Sequence, residues 1–195
     1  MVLENKSVVH NDSHSLDADI EARILEDTIE QRSLRNTLRI NGIAESENEN
    51  LVEKISSIGV ELDIPVDANR ITSIYRGGSK GKFKNKNVPR PIILKFSDFS
   101  DKLNFLRKKK SLAQSNGFKK CHIYSDLTFL KWKLFYYLKG LDSIGTVYIR
   151  GGSIMAKAVD EEEVHVVNSI KDLAWLKLES LDLEALGFSV KTNNL

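Results

Sequence analysis

The chain has 195 residues, 41% hydrophobic and 29% charged, with a net charge of +2, the profile of one large or two small globular domains rather than of a disordered or fibrous chain. No run of about 18 apolar residues occurs and "MVLENKSVVHNDSHS" lacks the basic-then-apolar pattern of a secretory signal, which excludes a spanning helix and leads us to expect an intracellular protein. One cysteine, Cys121, excludes an intramolecular disulfide, and four scattered histidines (His10, His14, His122, His165) fit no zinc-finger spacing, so no metal or cofactor is expected.

The small net charge hides an asymmetry. Residues 1–69 hold 6 cations against 15 acids, residues 70–120 hold 15 against 2, and residues 121–195 hold 8 against 10. A block of net +13 is the electrostatic footprint of a phosphate-backbone ligand, with a solvated lysine-rich face as the plainer alternative.

Residues 1–15 are polar and aperiodic and read as a disordered lead. From Leu16 to Arg35 there is neither Gly nor Pro, and Ala18, Ala22, Leu25, Ile29, Arg32 and Asn36 recur at alternating spacings of 4 and 3. That is a heptad register of about two and a half repeats over 16–36, pointing to self-association through Ala22, Leu25, Ile29, Arg32 and Asn36. An ordinary amphipathic helix docked on its own domain fits the same residues.

"LRINGI" (38–43) alternates as a strand, "NENLVEKISSIGVEL" (48–62) has helical spacing with Gly59 placed to end it, and "NRITSIYR" (69–76) is a second strand. A basic stretch follows: Tyr75 to Ile92 holds six cations, three glycines and no acid. "RPIILKF" (90–96) reads as a third strand, and "DFSDKLNFLRKKKSLAQSNG" (98–117) as a helix with four consecutive cations, Arg107 to Lys110. "KKCHIYSDL" (119–127) is a fourth strand, opened by Lys119 and Lys120. The order βαββαβ over 37–126 predicts a ferredoxin-like sheet, the arrangement RNA-recognition domains use, although the stacking aromatics of that family are missing and Arg39 stands in the first strand where one belongs.

The rest, 127–181, reads as a small α+β domain followed by a tail at 182–195. "SDLTFLKWKLFYYLKGL" is an aromatic-rich helix with Ser125 or Asp126 as its N-cap. "TVYIRGGSIMAKAV" is a hairpin turning at Gly151-Gly152, and "EVHVVNSIKDLAWLKLESL" gives a strand and a helix capped near Asn168 or Ser169.

Three readings of the basic stretch compete: a loop that grips the phosphates of a nucleotide, an arm that holds a nucleic acid, and a solvated linker between two strands. A phosphate-cradling P-loop needs Gly, four residues, then Gly-Lys-Ser/Thr; here Gly81-Lys82 is followed by Phe83, and Arg76 stands at the first glycine's place, so the motif fails twice. No nucleophile or acid-base pair stands out, so no enzyme and no small-molecule substrate are expected. Rings interleaved with cations suit single strands: Tyr75 precedes Arg76, Phe83 sits among Lys80, Lys82, Lys84 and Lys86, and Trp132 lies between Lys131 and Lys133. For Trp132 a core position, and for Phe83 simple packing, are the alternatives.

The succession "LEDTIEQRSLRNTLRINGIAE", "ITSIYRGG", "VPRPIILKF", a basic helix, "IYSDLT" and "GGSIMAKAVDEEEVHVVNSIKDLAWL" resembles the RNA-binding proteins encoded by the first open reading frame of LINE-type non-LTR retrotransposons, over residues 25–178. From "VPRPIILKF" onward it is also similar to the C-terminal domain of the baculoviral few-polyhedra proteins. The resemblance implies an oligomerising coiled coil, a non-standard RNA-recognition domain and a C-terminal domain that closes on RNA, in proteins that coat single strands and act as chaperones in cytoplasmic ribonucleoprotein particles, the nucleus being the alternative. It assigns nucleic-acid contacts to Arg76, to the loop between the second and third strands from Lys80 to Arg90, and to Lys95, Arg107, Lys108, Lys109, Lys110, Arg150 and Lys157. Lys131 and Lys133 replace arginines common in the family, giving point charge without a planar fork. Arg39, Lys119 and Lys120 complete the expected contact set, with single-stranded RNA or DNA as partner and an assembly protein of the few-polyhedra kind as the alternative function.

Overall fold

The computed structural model describes residues 9–78, 88–176 and 182–188. They form a mixed α+β structure with two antiparallel sheets, and the chain divides into two units: Ser33–Asp126, and Met1–Arg32 together with Leu127–Leu195.

In the unit 33–126, β1 (Thr37–Asn41), β2 (Ile71–Arg76), β3 (Ile92–Phe96) and β4 (His122–Ser125) pair antiparallel in the order β2-β3-β1-β4. Helices α2 (Leu51–Glu61) and α3 (Phe99–Lys108) cover one face: Ile55, Ile58 and Phe105 pack against Leu38, Ile40, Ile92, Leu94 and Ile123 in one core. Strand periodicity explains this, since residues two apart share a face and Leu38/Ile40 and Ile92/Leu94/Phe96 therefore all point to the helices. Asn50 caps α2 by accepting from the Val52 and Glu53 amides. Gly59, expected to end that helix, lies inside it, and a Cβ there would sit 2.5 Å from Val66 Cγ2 and 2.7 Å from the Ile64 carbonyl oxygen; close packing, not termination, requires it. The long helix expected over 98–117 stops at Lys108 and continues as 3-10 turns over Lys109–Gln114, whose tighter winding carries Leu112 into the core.

The other unit contains α1 (Val9–Ser33), α4 (Phe129–Lys139), and a sheet of β5 (Ile144–Arg150), β6 (Ser153–Ala158) and β7 (His165–Val167) in that order. Leu134, Leu138, Ile154, Val167 and Leu173 centre its core. Three expectations are corrected here. Helix α1 begins at Val9, inside the stretch read as a disordered lead, because no Gly or Pro interrupts the chain before Gly42. Asn36 is not in the helix; it belongs to the unit 33–126, where its side chain donates to the Ser97 carbonyl. The cap of α4 is Thr128, whose hydroxyl accepts from Lys131 N, because Ser125 and Asp126 are engaged at the end of β4. Past β7 the chain makes 3-10 turns over Ile170–Leu176, with the Asp172 carboxylate accepting from the Asn168 and Ser169 amides; residues 177–181 of the expected helix lie outside the described residues.

One buried ion pair anchors the first unit. The Arg76 side chain is 5% exposed and that of Glu49 9%, with Nε to Oε1 at 2.7 Å and a second bond from an Nη at 2.9 Å. The Arg76 guanidinium holds the Glu49 carboxyl down to about 2. Removing one member of such a pair leaves an uncompensated buried charge, so Arg76→Ala should cost about 3 to 5 kcal/mol in a denaturant melt. The carboxyl is lowered from its ordinary 4.5, so its stabilisation is complete above that pH and is lost as pH falls toward 2. Glu49→Gln should therefore flatten the loss of stability between about pH 4.5 and 2, and an unchanged acid slope would show the pair to be inert.

Candidate nucleic-acid interface

The sheet face of unit 33–126 opposite its helices is built by register. Tyr75 pairs with Ile93, Ile93 with Arg39, and Arg39 with Tyr124, so the four side chains form one cross-strand row with a tyrosine at either end. Tyr75 is exposed. In the next row Lys95 lies between Ser73 and Thr37. Arg39 Nε donates to Asp126 Oδ1 at 2.9 Å, which fixes the guanidinium in its place in the row. Tyr124 was not among the residues expected to act: "HIYS" shows by alternation that His122 and Tyr124 share a face, but only the pairing of β4 with β1 shows that it is the face of Arg39.

Beside β4, Lys109, Lys110, Lys119, His122 and Tyr124 line a groove of about 410 Å³. The Lys109 ammonium donates to the Ile123 carbonyl at 2.8 Å and lies 5.3 Å from the centre of the Tyr124 ring. Burial pushes its pKa down, with the Lys110 charge adding to the effect. A second groove of about 600 Å³ runs past Ile43, Lys54, Phe118, Lys119 and Lys120. Lys95, half-buried, lies next to the row, and the exposed Lys110, Lys119 and Lys120 line the grooves; Arg107 is exposed in the last turn of α3.

Other expected contacts have different work. Arg76 is enclosed by Glu49 and by the carbonyls of Ile43, Ala44 and Arg90; its position on the strand faces the helices, not the row. Arg90 pairs with Glu45, whose carboxyl that hydrogen bond lowers. Lys108 donates to the Asp63 carbonyl at 2.6 Å. Lys80, Lys82, Phe83, Lys84 and Lys86 lie outside the described residues.

In the other unit Lys131 is buried. Its ammonium faces the Gly152 carbonyl and Asn168 Oδ1, and desolvation lowers its pKa against the pull of Asp27 and Asp172. The buried Asp27 carboxyl is correspondingly raised by desolvation, opposed by a hydrogen bond with Thr128 and by Lys131. Lys157 pairs with Glu162 at 3.0 Å, Arg150 is exposed beside the β5–β6 turn, and Lys133 lies half-buried beside the Phe129 ring. Trp132 is half-buried and packs against the second core. Of the expected oligomerisation residues, Ala22 and Arg32 are exposed, Leu25 is 62% exposed and Ile29 58%, whereas Ile20 and Ile24 face the core of their unit. The Cys121 thiol is buried, and desolvation pushes it up to about 12, so it stays protonated.

Among the described residues no helix is long and apolar enough to cross a membrane. No protein-family model matches the chain, and no curated protein matches it in sequence.

The two kinds of lysine should separate in a thermal melt. Lys131→Ala leaves Asp27 without its buried counter-charge and should lower stability by about 2 to 4 kcal/mol, whereas Lys110→Ala and Lys119→Ala should stay within about 0.5 kcal/mol of the parent.

Proposed function

We propose that this chain is a sequence-tolerant, non-catalytic binder of single-stranded nucleic acid, RNA foremost, that packages and remodels its ligand as a chaperone. In this reading the β2-β3-β1-β4 sheet with α2 and α3 on one face is a ferredoxin-like, non-standard RNA-recognition domain, related to the LINE-type first-open-reading-frame proteins. The observation that carries the reading is the row Tyr75–Ile93–Arg39–Tyr124 on the face opposite the helices, bordered by Lys95, Lys110 and Lys119. Rings give bases a stacking surface whatever their identity, and cations follow the backbone. No cofactor and no small-molecule substrate enters this function, and its place is a cytoplasmic ribonucleoprotein particle.

Self-association belongs to the same proposal. Leu25 and Ile29 are large apolar side chains held in solvent on one stripe of α1 with Ala22 and Arg32, at the spacing a coiled coil uses. A second copy would bury that stripe. The same exposed stripe favours the second reading, an assembly protein of the few-polyhedra kind acting through protein contacts.

If Lys95, Arg107, Lys110, Lys119 and Lys120 contact phosphates, log affinity for a single strand should fall with log salt at a slope of about −3.5. A labelled oligonucleotide titrated by anisotropy over a salt series measures it, and absent binding at low salt would leave the assembly reading in its place. Tyr75→Ala with Tyr124→Ala should weaken all sequences alike and leave the slope unchanged. In sedimentation velocity, Leu25→Asp with Ile29→Asp should give a monomer where the parent is larger; equal masses would end the coiled-coil part of the proposal.

A further inference from the structure

Helix α4 presents aromatic rings to solvent. Phe129 and Tyr136 are each 62% exposed. Seven residues are nearly two turns, so the two rings lie on the same side of the helix, about 10 Å apart along its axis. Trp132 falls between them on that side. Its ring stacks on Tyr136 with centroids 5.9 Å apart and planes at 29°, and Phe135 stands edge-on to both, at 5.6 Å from Trp132 and 5.5 Å from Tyr136. These contacts hold the Tyr136 ring in one orientation, so little side-chain entropy remains to be lost when something packs on its outer surface. The Lys133 ammonium lies 5.7 Å from the centre of the Phe129 ring. On the Phe129 flank the neighbouring chain passes as Gly187, where a Cβ would lie 3.5 Å from Phe129 Cε1, so this residue itself puts no side chain against the ring.

The charge around these rings chooses the occupant. The sequence of α4, "FLKWKLFYYLK", contains three lysines and no acid, and with Lys131 buried the cations left on the solvent side are Lys133 and Lys139. Lysine is depleted at protein–protein contacts, whereas rings paired with cations suit a strand that offers both π-faces and phosphates. We infer that the Phe129–Tyr136 face of α4 is a nucleobase-stacking platform for single-stranded nucleic acid, separate from the sheet row in the other unit. This rests on the nucleic-acid function proposed above and adds a second contact surface to it.

The test uses the full chain and two ligands of equal length and backbone charge, an oligothymidylate and an abasic oligomer. The parent should bind the oligothymidylate more tightly. Phe129→Ala with Tyr136→Ala should weaken oligothymidylate binding about tenfold per ring removed, leave the abasic oligomer unaffected and keep the salt slope. Both positions are solvent-facing, and circular dichroism would verify that the variant folds. If the variant binds oligothymidylate like the parent, the platform is overturned while the binding function stands. If the parent binds neither oligomer, both fall. If oligonucleotide binding is unchanged but the variant sediments at a smaller mass, the face is an interface between protein copies and the platform is overturned.

Discussion

Unit 33–126 depends on how it accommodates one buried guanidinium. Arginine carries five N–H donors and cannot shed its charge, so placing Arg76 on the helix-covered side of the sheet is tolerable only if every donor finds an acceptor. Here each does: the two Glu49 oxygens take two, and the carbonyls of Ile43, Ala44 and Arg90 take three. These acceptors come from the loop after β1, the approach to α2, and the entrance to β3. Satisfying one side chain therefore fixes three segments at once. The Gly77 amide donating to the Pro91 carbonyl at 2.8 Å continues the same clasp. The mouth of the basic stretch is thus held by the residue that a family resemblance would assign to the ligand.

The clasp also changes what the charge asymmetry means. Glu45, Glu49 and Asp63 belong to the acid-rich first third of the chain, and their partners Arg90, Arg76 and Lys108 belong to the basic block. Part of the contrast between net −9 and net +13 is internal pairing within one unit. Lys102 is removed from the field differently: buried, it donates to the Arg35 carbonyl at 2.7 Å, and desolvation lowers it to about 8. Lys109 is spent on the Ile123 carbonyl, so it also occupies a backbone acceptor of a strand at the end of the sheet order, where an unpaired edge invites another chain. Among the described residues, the cations left to face a ligand are fewer than a count along the sequence implies, and Lys95, Lys110, Lys119 and Lys120 lie beside β4 and the tyrosine row.

What could be read in the sequence follows the range of the interaction. Period-two alternation in "TLRIN", "IILKF" and "HIYS" fixes which residues share a face within each strand, because adjacent side chains cannot do otherwise. Cross-strand register is set by partners 50 to 90 positions away, so Tyr124 could not be aligned with Arg39 from its own neighbourhood. Helix α1 shows the same limit. Ile20, Ile24, Asp27 and Gln31 form one stripe at spacings of 4, 3 and 4, and Ala18, Ala22, Leu25, Ile29 and Arg32 form another. Periodicity ranks the second higher because it is the more apolar. The choice is made by distant partners: Gln31 Oε1 accepts from the Thr128 amide at 3.1 Å, and Asp27 meets Thr128 and Lys131. Apolar patterning finds that a helix exists; buried polar partners decide which side of it docks.

Helix α4 carries that reasoning to the ligand. Leu134 and Leu138 are core residues, and position 131 lies three before Leu134 and seven before Leu138, on the same side. Lys131 therefore had to be buried, although its neighbours in sequence made it look like half of a surface pair with Lys133. Burying an ammonium there costs desolvation, which the Gly152 carbonyl, Asn168 and the Asp27 and Asp172 charges offset. The consequence falls on the opposite side of the helix. The half-buried Lys133 and the exposed Lys139 beside three rings give little long-range attraction, because solvent-facing charges are screened within about 10 Å at 0.1 M salt. Whatever binds that side must be held by contact with the rings, and affinity there should respond to whether bases are present rather than to ionic strength, the reverse of the behaviour expected from the lysine-lined groove beside β4.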